Sequence, residues 1–184
     1  SVFSDIFPIN TDGQIWASPA MADIDNDGFH DIILCSKDKN LYAIDKNGLK
    51  FIFETNTQLI GTPTICNLDN DDELEIIISG YSNNQQNIFA LNHDGTIVES
   101  FNFSSTEKNK SGFSAADFNG NNLDDIVFGT DSKNLYLVYD NGDIADGFPF
   151  ESDGRFRISP IIIEYLNEKL IVAPSENNTL YVLS

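Results

Sequence analysis

Asp23-Ile24-Asp25-Asn26-Asp27-Gly28-Phe29-His30-Asp31 places an oxygen-bearing side chain at positions 1, 3, 5 and 9 of a stretch set between two apolar runs. Two further stretches repeat the pattern: Asn67-Leu68-Asp69-Asn70-Asp71-Asp72-Glu73-Leu74-Glu75 and Asp117-Phe118-Asn119-Gly120-Asn121-Asn122-Leu123-Asp124-Asp125. Alternating oxygen ligands with one backbone carbonyl are how a short loop wraps a hard cation. The pattern predicts up to three Ca²⁺ sites. The first has Asp23, Asp25, Asp27 and Asp31, the second Asn67, Asp69, Asp71 and Glu75, the third Asp117, Asn119, Asn121 and Asp125. Phe29, Glu73 and Leu123 stand at the position of the carbonyl donor. Four carboxylates crowded into the first loop would repel one another without a cation, and Gly28 permits the bend. The third loop has the fewest charges and is expected to bind most weakly. A helix-loop-helix calcium site needs a Glu at position 12. Leu34, Ile78 and Phe128 occupy it here, inside strand-like runs, so that reading fails. Mg²⁺ prefers strict octahedral geometry with retained water, which leaves Ca²⁺ as the expected ion.

Aligning Asp23, Asn67, Asp117 and Glu164 brings Pro19, Pro63 and Pro160 into register, with Phe113 in the third copy. Repeats of this length suit a four-stranded propeller blade. Each unit reads as short strands separated by turn residues, in the first unit roughly 19–24, 31–36, 41–45 and 49–54. Asp45-Lys46-Asn47-Gly48, His93-Asp94-Gly95 and Asp140-Asn141-Gly142 are hairpin turn signals. The expected fold is an all-β propeller of four four-stranded blades, over 14–55, 58–104, 110–151 and 155–184. Phe7-Pro8-Ile9-Asn10-Thr11-Asp12-Gly13 matches Phe148-Pro149-Phe150-Glu151-Ser152-Asp153-Gly154, the outer strand of the third unit. Residues 1–10 are therefore expected to pair with the last blade and close the ring. The alternative is half of a larger propeller, completed by a second chain.

The 184 residues suit one domain, and 41% hydrophobic content with 14 Phe argues a packed core over disorder. A net charge of −19 argues against nucleic acid, which needs a basic surface, and against anionic membrane. No apolar run approaches the ~20 residues of a membrane span. Cys35 and Cys66 are too few for a disulfide framework and read as buried free thiols. The chain opens on Ser1 rather than Met, which reads as a processed or excised product. Weak calcium loops work where free calcium is millimolar, so a secreted or cell-surface setting is expected.

The run Ser18-Pro19-Ala20-Met21-Ala22-Asp23-Ile24-Asp25-Asn26-Asp27-Gly28-Phe29-His30-Asp31-Ile32-Ile33 resembles the FG-GAP/VCBS repeat family, the calcium-loop blades also seen in integrin α-subunit propellers. The likeness covers all four units. In the fourth, Glu164-Tyr165-Leu166-Asn167-Glu168-Lys169-Leu170 is shortened and has Leu166 where a ligand belongs, so no metal is assigned there. The resemblance implies calcium-binding blades, seven or eight in many members.

The face opposite the calcium loops collects the longer, more varied connections, where recognition residues usually lie. Trp16, Tyr81, Arg155, Phe156 and Arg157 are the candidate ligand-binding residues there, aromatic and Arg side chains being enriched at binding hot spots. No catalytic residue is assigned. His30 and His93 sit in turns on or near the calcium face, with no paired nucleophile and base. The expected function is a calcium-stabilised extracellular binding or adhesion module for a protein or carbohydrate partner. It would act as a monomer or a ring-completing homodimer. The alternative is a calcium-dependent polysaccharide-active enzyme of the lyase type, or a part of one, since some calcium propellers that this chain resembles are polysaccharide lyases.

Overall fold

The computed structural model describes residues 6–184, in which fourteen strands form four small antiparallel sheets with no helix among them. Sheet one runs β1 (Ala20–Ala22), β2 (Asp31–Cys35), β3 (Asn40–Asp45) and β4 (Gly48–Glu54), hydrogen-bonded in that order. Sheet two holds β5 (Thr64–Cys66), β6 (Glu75–Ser79) and β7 (Ile88–Leu91). Sheet three holds β8 (Ser114–Ala116), β9 (Asp125–Gly129), β10 (Asn134–Val138) and β11 (Phe150–Glu151). Sheet four holds β12 (Ile161–Tyr165), β13 (Glu168–Ser175) and β14 (Thr179–Leu183).

The sheets stack face to face, with β1 beside β5, β5 beside β8 and β8 beside β12. Burial follows from that order. Every residue of β6 and β9 is buried, because sheets two and three have a neighbour on each side. Their apolar runs Ile76-Ile77-Ile78 and Ile126-Val127-Phe128 are the continuous kind that double-sided burial requires. In β2, only Asp31, Ile33 and Cys35 are buried, whereas Leu41–Ile44 of β3 are buried on both faces. One core lies between sheets one and two, with Ile33 and Cys35 against Ile76 and Ile78. A second lies between sheets two and three, where Phe128 meets Phe103, Phe113 and Tyr136 at centroid distances of 5.7, 5.3 and 5.0 Å. A third, with Val127 and Phe156, joins sheets three and four. Cys35 and Cys66 are free and buried, and burial pushes both thiols up, Cys35 to about 12.

Turn chemistry fixes the hairpins. Gly142 has φ +89°, and a Cβ there would lie 2.5 Å from the Phe103 amide nitrogen, so the turn demands glycine twice over. One expectation is corrected. The second unit has no fourth strand: a single bridge, Leu91 to Ile97, follows the turn. Val98 and Phe101 are instead buried as apolar anchors. Of residues 1–10, expected to close the ring, 1–5 lie outside the described part; among the described residues, 6–10 form no strand and β14 pairs with β13 alone. The stretch after them is held by sheet one, through Lys37 N donating to Gln14 O (3.0 Å) and Asp12 N to Asp38 Oδ2 (3.0 Å).

Truncating the central ring, Phe128→Ala, is expected to cost about 3–5 kcal/mol. A urea titration followed by far-ultraviolet circular dichroism should show the lower midpoint.

Candidate metal centre

The first loop is built on Ile24, fully buried beneath it. Asp23 accepts from the amides of Asp27 (3.0 Å) and Gly28 (2.8 Å), and Asp27 Oδ1 accepts from Phe29 N (2.9 Å). Asn26 (φ +55°) and Gly28 (φ +88°) take the left-handed backbone that these turns need. The result brings oxygens of Asp23, Asp25 and Asp27 within 4.8 Å of one another. Two lysines reach in from the β3–β4 hairpin: Lys46 Nζ stands 2.7 Å from Asp27 Oδ2, and Lys50 Nζ 2.6 Å from Asp25 Oδ2. Asp31 stands outside the trio. It is 3% exposed, accepts from Ile24 N at 3.2 Å, and burial pushes its carboxyl up.

In the second loop Asp69, Asp71 and Glu75 form the same kind of cluster. Asp69 Oδ1 accepts from Asp71 N, and Asp71 Oδ1 from Glu73 N, both at 3.0 Å. Glu75 is 1% exposed and accepts from Leu68 N at 2.6 Å. Burial is the main force raising its carboxyl to about 7, with the charges of Asp69 and Asp71 adding to it. Among the described residues no lysine or arginine pairs with this loop.

The third loop satisfies itself. Asp117 takes the amides of Gly120, Asn121 and Asn122 at 2.6, 3.2 and 2.9 Å. Asp125 accepts from Phe118 N (2.7 Å) and Asp140 N (3.2 Å), and Asn121 Nδ2 donates to Asp140 Oδ1 (2.7 Å). Leu123 is buried, its amide bonded to Asn121 Oδ1 at 2.9 Å. No trio of acids comes together here among the described residues.

Two acidic clusters could therefore hold a metal ion, and a second observation bears on both. Buried side-chain atoms without a partner include Asp25 Oδ1 and Asn67 Oδ1, oxygens at the third position of the first loop and the first position of the second. A buried oxygen acceptor left unpaired is costly; a cation between the loop oxygens would satisfy it. Sequence reasoning missed Lys46 and Lys50, although their place beside the Asn47–Gly48 turn puts them on the loop face. It also missed Asp124, whose Oδ2 accepts from Asn67 N (2.9 Å) and whose amide donates to Asn67 O (2.7 Å). Leu74 N donates likewise to Ile24 O (2.9 Å), so neighbouring loops are tied edge to edge.

At the opposite end, Arg157 grips Asp131 with two bonds, Nε to Oδ1 (2.6 Å) and Nη2 to Oδ2 (2.7 Å). Tyr81 OH donates to the same carboxylate at 2.7 Å, which is the main reason its phenol is raised. Burial opposes ionisation of Asp131, but the Arg157 and Tyr81 bonds hold it below the usual carboxylate range. Trp16 is 60% exposed, with Lys37 Nζ 3.9 Å above its ring. Trp16 and Arg157 line one cleft of about 370 Å³ with Ser18, Thr62, Lys110 and Ser159. Tyr81 lies outside it, and Arg155 is exposed. Phe156 is corrected as a ligand contact. At 1% exposure it belongs to the core between sheets three and four, packed beside Tyr181 at a centroid distance of 5.8 Å.

No family model matches the chain, and no curated protein matches it. Solved structures share its fold. The Vibrio cholerae biofilm matrix protein Bap1 aligns over 91% of this chain and 26% of its own, with TM-score 0.66 and 17% identity. BBS1N, solved in complex with ARL6DN, aligns over 92% of this chain and 54% of its own, with TM-score 0.67 and 10% identity. The C-terminal domain of Pseudomonas aeruginosa PilY1 aligns over 86% and 44%, with TM-score 0.64 and 15% identity. The chain thus spans about a quarter to a half of these neighbours.

The Glu75 carboxyl sets a pH dependence. Its folded value near 7 lies above the ordinary ~4.3, so metal-free stability falls as pH rises between the two. In chelator, calorimetric melting should drop from pH 5 to pH 8, and Glu75→Gln should flatten the slope.

Proposed function

We propose that the four sheets are consecutive blades of a β-propeller of the FG-GAP/VCBS kind, and that the chain is a calcium-stabilised extracellular binding or adhesion module. The observation that carries the reading is the pair of acid clusters at repeat-equivalent turns, each with a buried, unpartnered oxygen at a ligand position. Asp23, Asp25 and Asp27 would hold one Ca²⁺, and Asp69, Asp71 and Glu75 with Asn67 another. Hard oxygen donors, no histidine or thiol among them, suit Ca²⁺. The ion would supply the positive charge that Lys46 and Lys50 bring to the first loop. The third loop, already bonded to itself, would bind most weakly.

Recognition is assigned to the opposite end. The cleft offers an exposed indole for stacking, the hydroxyls of Ser18, Thr62 and Ser159, and the cations Lys110 and Arg157. That combination of one flat apolar surface with a few polar groups suits a carbohydrate or a protein loop. Arg157 is already held in place by Asp131, which costs the bound state little further ordering. The Bap1 neighbour, by its description a biofilm matrix protein, lends support by analogy of fold.

At a calcium concentration about 100-fold above Kd, one site adds about 2.7 kcal/mol, or about 5–10 °C in Tm for a chain of this length. Differential scanning fluorimetry should show that rise with Ca²⁺, and Asp25→Ala should remove most of the first loop's share. An unchanged melt would reject the ion. On a glycan array with Ca²⁺, Trp16→Ala should weaken retention at least tenfold while leaving the calcium-dependent melt intact. Release of unsaturated oligosaccharide from a retained polysaccharide would instead establish a lyase.

A further inference from the structure

The cleft at the end opposite the acid clusters is built from equivalent positions in all four repeats. Trp16, Ile60, Lys110 and Arg157 each stand seven residues ahead of their unit's first loop position, Asp23, Asn67, Asp117 or Glu164. Ser18, Thr62, Gly112 and Ser159 follow two residues later. The first set shares no chemistry: Ile60 is buried, whereas Trp16 and Lys110 are exposed. A repeat that accepts an aliphatic, an indole and two cations at one position does not itself require them.

The floor between these walls is fixed. Gly112 N donates to Ser159 Oγ (2.9 Å), and a Cβ on Gly112 would lie 2.9 Å from Thr62 O. Three units therefore meet there without room for a side chain. Ser159 Oγ accepts that bond and keeps its own proton. The hydroxyls of Ser18 and Thr62 have no partner among the described residues.

The side chains of the walls are rich in donors. Lys110 has no acid within ion-pair distance among the described residues, whereas Arg157 is engaged with Asp131 and Glu176. Beside Lys110, Asn109 is fully buried with its Nδ2 unpartnered. No carboxylate and no side-chain amide lines the cleft, in a chain with 29 acids. Of the ten lysines and arginines, only Lys46, Lys50 and Lys169 lie on the loop end. A neutral sugar needs acceptors for its hydroxyl protons, and carboxylates and amides are the strong side-chain acceptors. A carboxylate only accepts, and it takes charge-assisted bonds from such donors.

We infer that the cleft takes a carboxylate-bearing sugar, a uronic acid residue, which rests on the recognition end proposed above. The sugar ring stacks on the face of Trp16 that Lys37 leaves open, Lys37 Nζ standing 3.9 Å above the other. The carboxylate goes to Lys110, with the Thr62 and Ser159 hydroxyls around it. Three free hydroxyls beside one indole favour a polyol over an acidic peptide. At about 370 Å³ the cleft is at the small end of ligand sites. A net charge of −19 repels a long polyanion, so the occupant is a short acidic oligosaccharide.

Isothermal titration calorimetry in millimolar Ca²⁺, with a glucuronate trisaccharide and its methyl ester, tests this. The acid should bind about tenfold more tightly than the ester, the size of one charge-assisted bond. Added salt should shrink the difference. Lys110→Gln, at an exposed side chain, should abolish the preference and leave the calcium-dependent melt unchanged. Equal affinity for acid and ester, both lost in Trp16→Ala, overturns the acid preference and keeps the carbohydrate reading. No binding of either sugar overturns both. An oligoglutamate peptide that binds more tightly than the uronate, and is weakened by Lys110→Gln, overturns the sugar in favour of a peptide.

Discussion

The bond on which the repeat depends runs from the backbone amide at the second loop position to a buried carboxylate at the ninth. Ile24 N reaches Asp31 at 3.2 Å, Leu68 N reaches Glu75 at 2.6 Å, and Phe118 N reaches Asp125 at 2.7 Å. A hydrogen bond to a charged group contributes about 1.5–3 kcal/mol. In each copy it closes the turn between the inner strand and the next. In the first loop the acids that remain, at the first, third and fifth positions, are thereby crowded at the rim; in the second, Glu75 both closes the turn and joins Asp69 and Asp71.

How much of this the sequence discloses depends on how local each feature is. The loops, the Asn-Gly and Asp-Gly turns and the doubly buried runs of β6 and β9 are set by residues near one another in the chain, and a reader of the sequence finds them. The state of each loop is less accessible. The first and third loops differ by Asn119 and Asn121 in place of Asp25 and Asp27, and those amides donate where carboxylates only accept. Lys50 lies 25 residues from Asp25, so its approach needed the hairpin to be placed first. Phe156 was misjudged because arginines flanking an aromatic look like a surface patch, whereas its ring packs on Tyr181, 25 residues away in the chain.

At the other end, Asp131 gathers Tyr81 from the second repeat and Arg157 from the fourth repeat's first connection onto one carboxylate of the third. Three of the four units therefore meet through one half-buried charge. The cleft beside it inherits that rigidity, since Arg157 is a wall of both.

The loops are also laced to one another, by Leu74 N to Ile24 O and by the two bonds between Asn67 and Asp124. Such stitching makes nearest-neighbour coupling strong relative to the stability of any one unit. Pulled from either terminus, the stack would resist peeling a sheet at a time and give way in larger steps. A mechanically loaded tether gains from that brittleness, because it yields late and all together.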